Sequence, residues 1–247
     1  MDSDEKLTKA QKRELRKLEW EQKAQSQAKT AQYKKIGLWI GVTFAVILGI
    51  FGLAMIVNSP TTSSGGGLQA PAPTKEDIYT KGNPNSKVVV VEYGDYQCPA
   101  CAQYQPIVKA LLEEYKDKVY FVYRDFPLIN SHQNAHISAR AAFAANKQGK
   151  FWEMYDALYE NQTEWATNPN AETIFTNYAS NLGLNADKFK NDLNSNEAKS
   201  FVDNALSNAT SIGLNSTPSF FINGSKIENP SSYDELKALI DNELNKE

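Results

Sequence analysis

The sequence predicts an α/β domain interrupted by a helical block and carried behind one membrane-spanning helix. Three observations predict it. Residues 36–57 are 22 consecutive positions without a charge. Val88-Val89-Val90-Val91 is a β-branched run of the kind buried on both faces of a central strand, and a helical pattern follows soon after it. From Phe126 to Ser219 the chain is a succession of helical patterns and stops, before strand signals return.

The chain has 247 residues with 41% hydrophobic and 11% aromatic side chains, which suits a packed core and excludes wholesale disorder. A formal net charge of −3 gives no reason to expect a nucleic-acid partner. That mean hides an uneven spread. Residues 1–35 hold ten Lys/Arg against six Asp/Glu, residues 36–57 hold none, and the remainder nets −7.

The apolar segment Ile36–Val57 comes first. At about 1.5 Å per residue it reaches roughly 33 Å, enough for a bilayer core. A signal-peptide apolar region would be shorter, about 7–15 residues, after a shorter basic stretch, so an uncleaved anchor is expected. Lys34 and Lys35 abut its N-terminal side, and the other flank has no basic residue until Lys75. The positive-inside rule therefore puts the basic tail 1–35 in the cytoplasm and the rest outside the cell. Residues 58–75, rich in Ser, Thr, Gly and then Pro, read as a flexible linker, leaving 76–247 as the folded body.

In that body the valine run leads through Glu92-Tyr93-Gly94-Asp95 to Cys98-Pro99-Ala100-Cys101, the only two cysteines of the chain. Ile107, Val108, Leu111, Leu112 and Tyr115 then mark a helix. Proline is favoured at a first helical position, so Pro99 makes Cys98 the N-cap. There a sulfur anion meets unpaired backbone N–H groups and the positive end of the helix dipole. Both favour thiolate, so Cys98 should be acidic and reactive, and Cys101, one turn further in, more buried. Three readings of the pair compete. A zinc or copper site would need His132 or His136 to complete it, an inert bridge would close a loop too small to stabilise much, and a dithiol/disulfide redox pair fits the strand–motif–helix setting.

Further helices are expected at Ala135–Gln148, Phe151–Gln162, Glu172–Leu182, Ala186–Leu193 and Asn196–Ile212, an insertion spanning about 130–213. The chain returns with strand Ser219–Ile222, a turn at Asn223-Gly224, a short strand at Lys226-Ile227, and a helix Tyr233–Leu244 capped by Ser231 or Ser232. His132 and His136 read as helix-start or packing residues, and Trp152, Tyr155 and Tyr159 as core.

The segment VVVVEYGDYQCPAC resembles the active-site strand and loop of DsbA-like thiol–disulfide oxidoreductases of the thioredoxin superfamily, and among them the membrane-tethered BdbD type. The likeness covers most of residues 75–247. It implies a thioredoxin-like fold with an inserted helical domain, to which His132, Ala135 and Gln148–Trp152 are similar, and a second strand at Tyr120–Tyr123 leaving through Phe126-Pro127. It implies that Glu92 is a buried acid beneath the disulfide, that Pro106 lies in the active-site helix, and that Thr217-Pro218 is a cis-proline loop facing the cysteines. Cys98, Cys101, Glu92 and Pro218 are then the catalytic candidates, with Pro99, Ala100 and Thr217 against substrate and neither cofactor nor metal required. A cis bond at Pro218 would turn the Thr217 backbone toward an incoming peptide. Ala100 departs from the family's best-known form, which has histidine there: a histidine could stabilise the Cys98 thiolate by charge and hydrogen bonding, and alanine cannot.

The function implied is a membrane-tethered oxidant of reduced exported polypeptides, recharged by a quinone-linked membrane oxidase of DsbB or vitamin-K-epoxide-reductase type. A reductase or isomerase on the same fold is the alternative enzyme. A tethered copper- or zinc-binding module is the alternative of another class.

Overall fold

A computed structural model describes residues 68–246 of the chain. The tail, the apolar segment Ile36–Val57 and most of the linker lie outside the described residues. Among the described residues no helix is long and apolar enough to cross a membrane.

Five strands form one sheet: β1 (Thr80–Gly82), β2 (Val88–Gly94), β3 (Val119–Asp125), β4 (Ser219–Ile222) and β5 (Ser225–Lys226), in the spatial order β1-β3-β2-β4-β5. The central strand β2 runs parallel to β3 and antiparallel to β4. A strand covered on both faces needs apolar side chains on both, which the four valines supply. The pleat divides them. Val88 and Val90 face one core with Phe121 and Phe220, and Val91 and Tyr93 face a second with Val122 and Phe221. Glu92 continues the first face, where the register sets it between Tyr123 of β3 and Phe220 of β4.

Helices α1 (Pro99–Glu114) and α8 (Tyr233–Leu244) pack on that first face through Val108, Leu111, Leu236 and Ile240. Between β3 and β4 come α2 (Ala135–Asn146), α3 (Phe151–Glu160), the single turn α4 (Gln162–Trp165), α5 (Ala171–Asn181), α6 (Ala186–Asn194) and α7 (Asn196–Ser211). Helix α2 carries six buried alanines, small enough for neighbouring helices to close on it from several sides. Helix α7 returns to the second face of the sheet through Ala209. It stops at Gly213, whose φ of 84° lets the Gly213 and Leu214 N–H groups fold back onto Thr210 and Ala209.

Most predicted elements are present, including strand Ser219–Ile222 and helix Tyr233–Leu244 with Ser232 as its cap. The expected helix Phe151–Gln162 is a correction. It ends at Glu160, because Asn161 leaves helical geometry and returns its side chain to the Ala157 carbonyl, and Gln162 opens a separate turn. The second short strand lies one residue earlier than expected, at Ser225–Lys226, with the Ile227 N–H bonded to the Phe220 carbonyl. Strand β1, with only Thr-Lys-Gly, has no apolar alternation to announce it; it exists because β3 offers an open edge.

The approach to β1 is a strap. Gln69 bridges to Ser225 at one edge of the sheet, and Thr80–Gly82 pair with β3 at the other. Midway, Arg124 donates to both carboxylate oxygens of Asp77 (2.6 and 2.9 Å), to the Tyr93 hydroxyl (2.8 Å) and to the Pro71 carbonyl (3.1 Å). A bidentate, half-buried guanidinium is among the stronger ways to fix a segment without regular structure.

Candidate active site

The candidate site is built at the C-terminal end of β2. Cys98 is the N-cap of α1, with extended backbone angles (φ −70°, ψ 120°) and Pro99 in the first turn. Both cysteines are free thiols. Cys98 keeps 7% of its surface open and Cys101 none. The Cys98 thiol donates to the Thr217 carbonyl across 3.4 Å. Its pKa is drawn down from 9.0 to about 5. The Cys101 thiol, donating to the sulfur, is the largest cause; burial opposes it, and the Thr217 hydroxyl and the N–H groups of Cys101 and Ala100 reinforce it. Donors aimed at a sulfur at a helix N-terminus are the ordinary means of making a thiol acidic.

Cys101 is driven the other way. Burial pushes its thiol well above 9.0, and its bond to Cys98 and the Glu92 charge add to the effect. Glu92 is 1% exposed, and neither carboxylate oxygen has a hydrogen-bond partner. Burial raises its pKa from 4.5 to about 8, opposed by the nearby Tyr155 hydroxyl. Tyr96, Tyr123, Tyr155 and Tyr159 pack ring against ring around this acid, with the Tyr123 and Tyr159 hydroxyls 2.9 Å apart. Gly94 stands against that cage: a Cβ there would fall 2.6 Å from the Tyr123 hydroxyl. The site therefore pairs an exchangeable thiolate with a buried thiol and a buried, protonated acid, a set fitted to thiol exchange with local proton supply.

The predicted residues come together. Thr217-Pro218 is a cis peptide and meets Cys98 through the Thr217 carbonyl. Pro218 is buried, Ala100 half-buried and Pro99 exposed beside the sulfur. A cleft of ≈ 440 Å³ opens at Pro218, walled by Leu68, Ser216, Lys226, Ile227, Glu228 and Asn229. Pro106 lies inside α1. Trp152 is half-buried, and Tyr155 and Tyr159 are core. His132 and His136 engage carboxylates rather than sulfur: His132 Nδ1 lies 2.7 Å from Asp95 and His136 Nε2 3.1 Å from Asp203. Among the described residues no three His, Cys, Asp or Glu side chains gather as metal ligands.

Sequence reasoning missed the residues that hold the loop. Asp95 accepts from the N–H groups of Gln97 (2.8 Å) and Leu128 (2.9 Å) as well as from His132, while its own carbonyl accepts the Cys98 N–H (3.0 Å). An aspartate bonding the N–H two residues on is a local turn device, so Asp95 was legible. Gln97 and Gln162, whose carboxamides join the loop to the helical block, gave no such signal.

A family model described as thioredoxin matches residues 74–242. The chain is 33% identical over 132 residues to the "Probable disulfide bond formation protein D" of Bacillus anthracis, covering 49% of this chain and 58% of that protein. It is 39% identical over 115 residues to a protein named Na(+)/H(+) antiporter NhaA 1 from Salinispora arenicola, covering 47% of this chain but 17% of that protein. The chain thus spans less than two thirds of either relative. In structure it is similar to oxidised BdbD from Bacillus subtilis, with a TM-score of 0.64 at 22% identity over 73% of this chain and 99% of that one.

Proposed function

The chain belongs to the thioredoxin family, and from that premise we propose that it is a thiol–disulfide oxidoreductase, tethered to a membrane by residues 36–57, which introduces disulfides into exported polypeptides outside the cytoplasm. The observation that carries this reading is the opposition between the two sulfurs: Cys98 acidic to about 5 at the helix N-terminus, Cys101 buried and held as a thiol. A reduced state stabilised as a Cys98 thiolate makes the disulfide a strong oxidant.

In the oxidised form a client thiolate attacks Cys98. A client–Cys98 disulfide forms, the Cys98–Cys101 bond breaks, and Cys101 leaves with the electron pair. Glu92, protonated below about 8, supplies the proton that Cys101 takes up. A second client thiolate attacks the client sulfur and expels Cys98 as a thiolate, whose low pKa makes it a good leaving group. The client has lost two electrons and two thiol protons; the cysteine pair has gained the electrons, one of the protons restores Glu92 after its transfer to Cys101, and the other passes to solvent. The Pro218 cleft is wide enough for client side chains and has no single chemistry on its walls, which suits varied unfolded chains. A quinone-linked membrane oxidase of DsbB or vitamin-K-epoxide-reductase type is the expected source of reoxidation.

Redox titration of the full chain in detergent tests the reading. The expected potential is roughly −200 to −100 mV, against about −270 mV for thioredoxin; a thioredoxin-like value would turn the assignment to a reductase. Cys101→Ser should accumulate a mixed disulfide with a reduced client and Cys98→Ser should not. Stoichiometric copper or zinc on the reduced chain without thiol exchange would favour the metal-binding alternative.

A further inference from the structure

We propose that Gln162 is a positioning residue for Cys98, reaching from the helical block to hold the sulfur in line with the N-terminus of α1. The inference rests on the proposed reaction and adds to it a role for the insertion. The Gln162 carboxamide Nε2 donates to the carbonyls of both Tyr96 (2.7 Å) and Cys98 (3.0 Å), and the residue is buried. The Cys98 carbonyl already accepts the Ala102 N–H, the first bond of α1, so Gln162 fills its second lone pair. The Cys98 N–H between these carbonyls is bonded to Asp95. Successive peptide groups from Tyr96 to Pro99 are therefore each held, and the turn that aims the sulfur has little freedom left.

The Gln162 main chain is fixed by the Ala166 N–H, which donates to its carbonyl (2.9 Å), and separate amides join the same block to the redox loop. Gln97, from the redox loop, donates to the Ala166 carbonyl (2.6 Å) and accepts the Asn134 N–H (2.6 Å). The Asn134 side chain donates to the carbonyls of Trp165 (2.8 Å) and Asn168 (2.9 Å). The Gln162 carboxamide is uncharged, so the clamp holds the same geometry in whatever state Cys98 adopts. The geometry matters because thiolate stabilisation by backbone N–H groups and the helix dipole falls off within the first turn. A small rotation about Cys98 separates the sulfur from the Ala100 and Cys101 N–H groups. Gln162 does not touch the sulfur, and its effect runs through the backbone of Cys98.

The test is the pH profile of iodoacetamide alkylation at Cys98 in the reduced full chain, with thermal unfolding measured on the same samples. Gln162→Met keeps the length and removes the donor. It should move the alkylation midpoint up by at least one unit and slow alkylation several-fold at pH 5. Asn134→Ala removes side-chain bonds to the Trp165 and Asn168 carbonyls, which lie within the helical block and touch neither the Tyr96 nor the Cys98 carbonyl, so it should lower the melting temperature while leaving the midpoint within a few tenths of a unit. Should the methionine variant fail to fold, Gln162→Asn, one methylene short of both carbonyls, is read in the same way. An unchanged midpoint in the Gln162 variants, or midpoints that track melting temperature equally at both positions, would overturn the inference. A parent midpoint near that of an ordinary free thiol would instead sink the proposed oxidant function, so the two failures are distinct.

Discussion

Replacing Glu92 with glutamine probes the most costly group at the site. The folded chain holds the Glu92 proton up to about pH 8, whereas the unfolded chain releases it near 4.5. Between those values the folded state binds more protons, so stability falls as pH rises through the window. At about 1.4 kcal/mol per unit the loss amounts to about 3 kcal/mol by pH 7 and about 5 kcal/mol once Glu92 is fully ionised. Glutamine keeps the shape and has no proton to lose. It also brings N–H groups into a site whose acid had no hydrogen-bond partner, a constant cost of about 1–3 kcal/mol that does not vary with pH. The informative quantity is therefore the slope. The difference between Glu92→Gln and parent should rise in favour of the variant from pH 5 to 8 by about 4 kcal/mol, or roughly 8–16 °C in melting temperature for a domain of this size. Thermal unfolding of the reduced full chain at pH 5, 6, 7 and 8 measures it. Parallel pH curves for the two proteins would refute the buried, protonated acid and with it the local proton donor for Cys101. The same variant should release Cys101 more slowly in single-turnover exchange, by about a hundredfold if the proton must come from bulk water.

Other outcomes follow from the same packing. His132→Ala leaves the fully buried Asp95 carboxylate with its two backbone donors alone, which should lower the urea unfolding free energy by about 2 kcal/mol; an unchanged midpoint would show that the pair holds nothing. Gly94→Ala forces a methyl into the Tyr123 ring and should cost about 2 kcal/mol by the same measurement, because that ring is boxed in by three other tyrosines. Tyr79, Tyr96, Tyr123, Tyr155 and Tyr159 are all held far above the usual phenol range by burial, so in an alkaline spectrophotometric titration they should ionise only as the fold is lost. A titration that fits twelve independent phenols would contradict the cage.

Much of this architecture was legible before any coordinates, and the reason lies in which residues carry local signals. The valine run, Pro99 after Cys98, and the serine cap at Ser232 each act within a few residues of themselves, so spacing reveals them. The burial of Glu92 followed from the resemblance, and the pleat explains it: it shares the face of Val88 and Val90. What spacing does not reveal are partners distant in the chain. Gln162 lies 64 residues from Cys98 and Asn134 lies 37 from Gln97, and a glutamine that donates to two buried carbonyls reads in sequence like any solvated glutamine. The three-residue strand β1 escaped for a related reason, since an edge strand is made by its neighbour and not by its own composition.

The strap that enters the domain sets where mechanical load falls. A pull on the chain at Leu68 would be met first by the Leu68 carbonyl, which accepts the Lys226 N–H, then by Gln69 and Ala70 on the Gly224–Ser225 turn, and then by the grip of Arg124 on Pro71 and Asp77. None of these bonds belongs to the peptide groups that orient Cys98. Any load entering at Leu68 would thus be met at the rim of the sheet before it reached the turn that aims the sulfur.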